Sequence, residues 1–563
     1  MKFKLSQQWV MMGLLFTFYS TDSRAYCASD VVYKSGIEDL FPPEQAGALL
    51  DQESASRFLY QATFGPKLSE VRRLQAMGID AWLAEQMAIP ATLQRPCMED
   101  IQANPDLPLY QNSRMEAWFL NSAEGTDQLR QRMAFALSEL FVVSDAASLN
   151  NEVMGLARYY DLLAVNAFGN YRDLLEDVTL NTMMGFYLGM FRNAKADPVL
   201  GTQPDENYAR EVLQLFSIGL HQLNMDGTEM LDVDDNPIPT YDQTVIEHFA
   251  RVFTGWNFSG CAENNWQWCN PSEPGVEAYA PMEPIEAYHD TGEKTLLNGQ
   301  VLPAGQTARQ DLTAALDNIF NHPNVPPFIS KQLIQRFVTS NPSPAYVQRV
   351  ATVFADNGSG VRGDLNAVMR TILLDDEARN PAFIHVSTYG KLKEPLIRYL
   401  GLLRAFEARS RNGRYGNWNP EFSYLQRPLG SPSVFNFFSP HFQLPGPVRD
   451  QGLVSPEFQI TSETTVTTVA NEMNEAVNRG HHLYDHWNES MPLLQLQREL
   501  LLSNDDNALL DHLDLLLFAG QMSPATRNIA ANLWINTSGA DDITRMTSLI
   551  HVLVLSPEYV VQR

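Results

Sequence analysis

Apolar side chains recur every three or four residues along most of this chain, and stretches of strictly alternating polarity, which are typical of strands, are few. The spacing predicts helices over 54–64, 67–87, 115–143 and 153–166. Two long segments, 260–302 and 409–447, are rich in Gly, Pro, Asn and aromatic residues, which predicts irregular loops. The pattern therefore predicts a mainly α, large multi-helix globular fold with long irregular loops and at most a small β-hairpin.

The segment 205–256 predicts two short amphipathic helices on either side of an acidic, turn-rich insert. The apolar face of the first consists of Tyr208, Val212, Leu215 and Phe216. Glu211 borders that face, which predicts a partly desolvated carboxylate with a raised pKa. Such a group is suited to acid–base catalysis or to metal ligation. Asn207 lies one turn away and could orient it. The alternative is an ordinary solvated Glu206–Arg210 ion pair behind Asp205 as N-cap.

The second helix is predicted to begin with a capping box formed by Thr240 and Gln243. His248 lies on its polar side and is a candidate metal ligand or general base; the alternative is a histidine with a purely structural role. Arg251, also on the polar side, and Trp256, at the end of the helix, are candidate contacts to a substrate.

His289 and Asp290 lie next to each other in the second half of the irregular segment 260–302. A histidine beside an acid in a loop is positioned by turn chemistry and available to a substrate or metal; the alternative is a solvated histidine in an Asp-initiated turn. We expect one cleft in which Glu211, His289 and Asp290 are catalytic and Arg210, Asn207, Arg251 and Trp256 bind substrate. The cofactor that suits these residue types is a divalent metal, with Glu211, His248, His289 and Asp290 as candidate ligands.

Two further motifs imitate known ligand sites. The start of a calcium-binding loop is imitated by Asp232 and its neighbours, but Pro237 replaces the required glycine, so we expect a tight hairpin turn at Asp235 and Asn236. The glycines of 358–363 spell GxGxxG. Because a helical pattern precedes them where a dinucleotide site needs a strand, they predict a loop between two helices.

Residues 1–25 have the three parts of a secretory signal: Lys2 and Lys4, an apolar run, and a small-x-small site that ends at Ala25. No other apolar run approaches the roughly 18 residues that a membrane-spanning helix needs. We therefore expect an exported protein, periplasmic or extracellular, with no transmembrane segment in the mature chain. Cleavage would change the net charge from −26 to −28, and so acidic a surface repels nucleic acid.

The four cysteines, Cys27, Cys97, Cys261 and Cys269, all follow the predicted cleavage site. An oxidising compartment would let them form disulfides in any of three pairings. We predict the local bridge Cys261–Cys269 and leave the pairing of Cys27 with Cys97 open.

A series of short sequence blocks follows one another along the chain: Arg57–Leu59, Gln61–Gly65, Arg130–Arg132, Ala134–Ser138, Asn207–Glu211, Ala250–Trp256, His289–Asp290, His322–Pro323, Phe328–Ile329, Lys331–Leu333, Lys391–Pro395 and Ser433–Phe438. In this order the blocks resemble the bacterial family called domain of unknown function 1800. The resemblance implies an exported, mostly helical protein. Its gene is frequently adjacent to that of a second exported protein, from a family that resembles phosphatases or sulfatases. The resemblance implies no catalytic residues. We expect a signal peptide (1–25), an N-terminal arm (26–50) and one large family domain (51–563), with sublobes near 51–200, 201–400 and 401–563.

Two functions agree with these observations. The first is an exported cell-envelope protein that acts as a hydrolase or transferase on an envelope or extracellular substrate through the Glu/Arg/His/Asp cleft. The second is a noncatalytic assembly or binding partner of a second exported protein encoded nearby, with Trp266, Trp268 and the aromatic run Phe435–Phe438 as anchors.

Overall fold

The computed structural model describes residues 49–105, 108–417, 419–480 and 489–563. Its α-helices are Gln52–Ala62, Leu68–Met77, Ile79–Ala88, Arg95–Ala103, Gln111–Glu124, Gln128–Ser138, Val153–Val165, Tyr171–Leu180, Thr182–Leu188, Asn207–Gln214, Gln243–Val252, Ala308–Phe320, Val325–Phe337, Pro344–Ala355, Leu365–Leu374, Asp376–Arg379, Pro395–Ala405, Pro420–Tyr424, Pro447–Asp450, Glu463–Asn478, Gln497–Leu501, Asp506–Phe518, Pro524–Asn536, Asp542–Val554 and Pro557–Val560. Three antiparallel pairs of two-residue strands accompany them: Trp256–Asn257 with Glu283–Pro284, Lys294–Thr295 with Val301–Leu302, and Lys391–Leu392 with Val561–Gln562. The predicted mainly α fold is confirmed.

Two of the long predicted helices are each two shorter ones. The segment 67–87 divides at Gly78, whose φ of 78° places it in the left-handed region that a continuing helix cannot adopt. The segment 115–143 divides after Glu124, and the second helix begins only at Gln128. Helical spacing of apolar residues continues across both breaks, which is why the sequence pattern did not mark them.

The N-cap residues of two helices test the sequence-based predictions, one of which is wrong and one of which agrees with the structure. The predicted capping box at Thr240 is wrong: Asp242 is the N-cap and its side chain accepts from the Val245 amide at 3.0 Å, while the Thr240 hydroxyl donates to the Gly219 carbonyl. Asp364 caps helix Leu365–Leu374, as expected for a GxGxxG segment that joins two helices.

The two ends of the described chain meet in space. The Ser56 hydroxyl donates to the Leu515 carbonyl at 2.7 Å, and the Tyr60 hydroxyl donates to the Leu516 carbonyl at 2.6 Å. Both acceptors lie in helix Asp506–Phe518. One hydrophobic cluster includes residues from Ala55 to Tyr559 and so joins the first helix to the last.

Several sequence-based predictions concern residues that the structure does not describe. The signal segment 1–25, residues 26–48 of the N-terminal arm, and Cys27 lie outside the described residues. The division into sublobes stays a prediction. Within the described residues, no helix combines the length and the hydrophobicity needed to cross a bilayer.

Candidate functional site

The helix that carries Glu211, Asn207–Gln214, packs beside helix Gln243–Val252. Glu206 joins them, because its Oε2 accepts from Arg210 Nη2 at 3.1 Å and from Gln243 Nε2 at 2.9 Å. The Arg210 side chain is 42% exposed, so this is the solvated Glu206–Arg210 pair that the sequence offered as the alternative interpretation. Exposed pairs of this kind contribute about 0–1 kcal/mol to stability. Arg210 and the exposed Asn207 are therefore accessible to a ligand.

Glu211 itself is buried. Only 6% of the residue is exposed, and its Oε2 atom has no hydrogen-bond partner among the described residues. Burial raises the pKa of Glu211, and the nearby guanidinium of Arg210 offsets part of the rise. The raised pKa predicted from its position beside the apolar face is thus borne out.

Two tyrosines share the environment of Glu211. Burial, followed by the charge of Glu211, raises the pKa of Tyr241 to about 12, and the same two causes raise the pKa of Tyr187. The Tyr241 hydroxyl is buried without a hydrogen-bond partner among the described residues. We call Glu211, Tyr187 and Tyr241 the Glu211 site. Sequence reasoning missed both phenols, since helical spacing marks neighbours on one helix and these tyrosines come from other segments.

His289 does not lie on the surface. Its residue exposure is 0%, so the expectation of an imidazole open to substrate is wrong. Its Nδ1 lies 3.0 Å from the Thr254 carbonyl oxygen, and its Nε2 lies 3.1 Å from Asp311 Oδ2. The same Asp311 oxygen accepts from Lys294 Nζ at 2.6 Å. His289 is therefore one member of a buried chain, His289–Asp311–Lys294, whose two other members the sequence did not suggest.

A tight turn places His289 in this chain. Gly255 has φ 89°, and a Cβ at this position would lie 3.1 Å from the Cβ of His289. Only glycine combines that left-handed backbone with so close a neighbour. Gly255, which follows helix Gln243–Val252, thus allows segment 253–256 to pack directly on His289.

Asp290 forms a bidentate ion pair with Arg251, with Nε–Oδ2 and Nη2–Oδ1 distances of 3.0 Å each. Oδ1 also accepts from the Gly292 amide at 2.8 Å. Burial alone would raise the pKa of Asp290, but the hydrogen bonds from Arg251 and Gly292 hold it below its usual value. Both carboxylate oxygens are engaged, so Asp290 and Arg251 fix the loop to the helix and satisfy each other.

His248 and Trp256 also have structural partners. The Thr295 amide donates to His248 Nδ1 at 2.8 Å, which ties the helix to the short strand Lys294–Thr295. Trp256 is fully buried, and the guanidinium carbon of Arg309 lies 4.9 Å from its ring centroid. Trp256 is therefore a buried structural residue.

The four candidate metal ligands do not converge on one point. Among the described residues, no group of three or more His, Cys, Asp or Glu side chains is placed to hold a metal ion.

The acidic insert between the two helices forms the predicted hairpin turn. Asp232 Oδ1 accepts from the amides of Asp234 and Asn236 at 2.8 and 2.9 Å, and Asp235 has φ 62°.

The loop that leads to His289 is closed by the predicted disulfide. Cys261 and Cys269 are bonded, with their Cα atoms 5.9 Å apart. Inside this small loop Trp266 is buried and stacks on Tyr288, with ring centroids 4.3 Å apart, whereas Trp268 is 80% exposed. The two neighbouring tryptophans therefore have different roles. Cys97 is also disulfide-bonded.

Comparison with known proteins agrees with the sequence resemblance. A family model described as "Protein of unknown function (DUF1800)" matches residues 57–561. No curated protein and no solved structure matches the chain. The chain belongs to the DUF1800 family.

Proposed function

We propose that this member of the DUF1800 family is an exported cell-envelope enzyme, a hydrolase or transferase, in which Glu211 is the acid–base group. The support for export is the signal-like segment 1–25. The support for chemistry is a buried carboxyl group whose Oε2 lacks a hydrogen-bond partner among the described residues and whose pKa is raised. Carboxylic acids whose pKa is raised by burial serve as proton donors and acceptors in enzymes.

The neighbouring groups have distinct parts in this proposal. A protonated Glu211 would donate to the leaving group of the substrate and then recover its proton from the incoming nucleophile. Tyr187 and Tyr241 keep their protons, because their pKa values are raised, and can donate hydrogen bonds to the substrate. Arg210 and Asn207, which are accessible at the start of the same helix, would bind an anionic or polar part of it.

His289, Asp290 and Arg251 would then be positioning residues. The geometry in support is that His289 is fully buried against Asp311 and that Asp290 is saturated by Arg251. They would fix the loop that carries His289 and Asp290 to helix Gln243–Val252, which packs beside the helix of Glu211. The buried Trp256 would stabilise the same packing.

The test compares Glu211→Gln with the control variant Glu247→Gln in the purified mature protein. Chromogenic phosphate, sulfate, carboxyl and glycosyl esters are screened, and thermal unfolding is recorded for each variant. We expect any turnover by the wild type to fall by at least about 100-fold, the usual range for an acid–base group, in a Glu211→Gln variant whose Tm is not lower than that of the wild type. Glu247 is exposed on the neighbouring helix Gln243–Val252, so Glu247→Gln should keep its turnover. Equal turnover in the wild type and Glu211→Gln would refute the role of Glu211.

Export is tested separately. Expression of the full chain in a Gram-negative host, followed by fractionation and N-terminal mass spectrometry, should give a periplasmic or secreted protein that starts near Tyr26. An intact Met1 in the cytoplasmic fraction would contradict this part of the proposal.

A specific observation favours a second candidate, the noncatalytic binding partner. Trp268 is largely exposed on a disulfide-closed loop and Phe435 is also exposed, and exposed aromatic residues on fixed backbones are typical interface anchors. Co-purification from native extract with the wild type and with Trp268→Ala, together with the turnover screen, separates the two functions. Turnover that is lost in Glu211→Gln supports the enzyme. A stable exported partner that is lost in Trp268→Ala, with no turnover, supports the binding role.

A further inference from the structure

A cavity of about 760 Å³ lies where the first and last described helices meet. Its walls come from helix Gln52–Ala62, the segment 379–385, the end of helix Asp506–Phe518 and the final residues 557–563. None of these residues belongs to the Glu211 site. A volume of several hundred Å³ is typical of pockets that hold small organic ligands.

Three cationic side chains line this cavity: Arg57 and Lys393, which are buried, and Arg379, which is partly buried. We call it the cationic cavity. Two of them come from blocks that carry the family resemblance, Arg57–Leu59 and Lys391–Pro395, yet no part of the proposed chemistry uses them. None of the three forms an ion pair with an Asp or Glu side chain of the described residues, while Arg57 Nε donates to an oxygen of Arg563, the last residue of the sequence.

Lys393 is unusual among the buried lysines of this chain. Lys294 Nζ lies 2.6 Å from Asp311 Oδ2, and Lys391 Nζ lies 3.1 Å from Glu457 Oε1. Lys393 is only 3% exposed and has no such acid among the described residues. Its Nζ instead lies 4.0 Å from the ring centroid of Tyr559 and 4.5 Å from that of Tyr60. Burial and the charge of Arg398 lower the pKa of Lys393 well below its usual value, as expected for an ammonium without a counter-ion.

Each of the two arginines has guanidinium nitrogens without an acceptor among the described residues. Arg57 donates from Nε and Nη1 to main-chain oxygens of Arg563 and Arg379, both at 3.0 Å, while its Nη2 is buried without an acceptor among the described residues. Arg379 has neither Nε nor Nη2 engaged there. Burial and then the charge of Arg57 lower the pKa of Arg379 to about 9.

The Nε–Nη2 edge of an arginine is the one that binds an oxyanion through two parallel hydrogen bonds. In two other arginines of this protein the same edge is filled by a carboxylate. Arg251 uses it for Asp290 at 3.0 Å, and Arg349 uses it for Asp375 at 2.6 and 2.8 Å. In Arg379 both atoms of this edge are buried and have no acceptor among the described residues.

The acids that line the cavity are occupied elsewhere or lie outside its buried part. Asp51 accepts from the Ser54 amide at 2.7 Å as a helix cap. Glu558 accepts from the Ser523 amide at 2.9 Å, and Glu53 is exposed. The chain has 66 acidic against 40 basic residues, so a buried cluster of cations without paired acids runs against its overall charge.

We propose that the cationic cavity binds the oxyanion group, phosphate or carboxylate, of a small organic anion, with Lys393, Arg57 and Arg379 as its counter-charges. Buried unpaired charges are costly, and a ligand oxyanion would offset that cost. The apolar side chains Pro381, Ile384, Leu517 and Phe518 also line the cavity and would contact the organic part of the ligand.

The test is calorimetric titration of the mature protein with three probes of similar size: phenyl phosphate, benzoate and the uncharged benzyl alcohol. We expect phenyl phosphate or benzoate to bind, benzyl alcohol not to bind, and binding to weaken as salt increases. Lys393→Met, which keeps the apolar stem, should weaken anion binding by about 10- to 100-fold, the usual effect of losing one charge-assisted hydrogen bond. Lys67→Met is the matched control, because Lys67 pairs with Glu124 away from this cavity.

The relative affinities of phenyl phosphate and benzoate identify the preferred oxyanion. If Lys393→Met does not fold, protection of Lys393 in the wild type replaces it: reductive methylation of this lysine, followed by peptide mass spectrometry, should slow at least about fivefold with bound phenyl phosphate. Equal affinity in wild type and folded Lys393→Met, equal binding of benzyl alcohol, absence of anion binding, or unchanged methylation would each overturn the proposal.

Discussion

Asp311 is the residue on which the buried chain around His289 depends. One oxygen, Oδ2, accepts from both His289 Nε2 and Lys294 Nζ, and all three side chains are at most 1% exposed. In Asp311→Asn the Lys294 ammonium would keep the carbonyl oxygens of Asp290 and Gly292 and, as its nearest remaining carboxylate, Asp290 Oδ1 at 4.0 Å. Breaking a buried ion pair on one side costs about 3–5 kcal/mol, because the other charge stays buried without compensation.

A double-mutant cycle with Lys294→Met measures this interaction. Each single variant leaves one buried charge and should lower the free energy of unfolding by about 3–5 kcal/mol. The double variant removes both charges, so its loss should be smaller than the sum of the two, with a coupling energy of at least about 2 kcal/mol. Urea denaturation followed by circular dichroism gives the four free energies.

Asp317→Asn is the matched control on the same helix. Asp317 pairs with Arg172 at 2.7 Å but is largely exposed, so its replacement should cost less than about 1 kcal/mol. A loss of under about 1 kcal/mol in Asp311→Asn, or a coupling energy near zero, would refute a stabilising buried ion pair between Asp311 and Lys294.

Three further predictions concern the Glu211 site and the disulfide loop. Because burial raises the folded-state pKa of Glu211, the wild type should lose stability relative to Glu211→Gln as pH rises through that pKa. The Tm values of both proteins, measured from pH 4 to 8, test this direction. A difference in Tm that stays constant over this range would contradict it. Replacing Cys261 and Cys269 with Ser should cost about 2–3 kcal/mol in urea denaturation; an unchanged midpoint would argue against the bridge. Trp266→Ala should cost about 3–5 kcal/mol and Trp268→Ala less than about 0.5 kcal/mol, and similar losses would be inconsistent with their different burial.

Much of the fold could be predicted from the sequence because helices and caps are local. A helix repeats every 3.6 residues, so apolar spacing alone predicted the mainly α class and the burial of Glu211 beside an apolar face. The Cys261–Cys269 bridge was predictable for a similar reason, since eight positions separate the two cysteines. Helix breaks such as Gly78 were missed because the apolar pattern continues through them.

The candidate site was predictable only in part. Glu211 and Arg210 share one helix, and the Asp290–Arg251 pair joins two segments that the sequence had selected. Tertiary packing alone decided that Asp311 accepts from His289, 22 positions away. It also placed two tyrosines from other segments beside Glu211.

The sequence by itself determined which side chains share one face of each helix. It therefore also determined that the carboxyl group of Glu211, at the border of an apolar face, would be desolvated. Only the tertiary structure decided which charges receive a partner: Lys294 meets Asp311, whereas Lys393, equally buried, meets two aromatic rings. The physical reason is that local geometry fixes the face on which a charge lies, but long-range packing fixes what lies opposite it. Electrostatic energy falls with distance and rises with burial, so it depends on both.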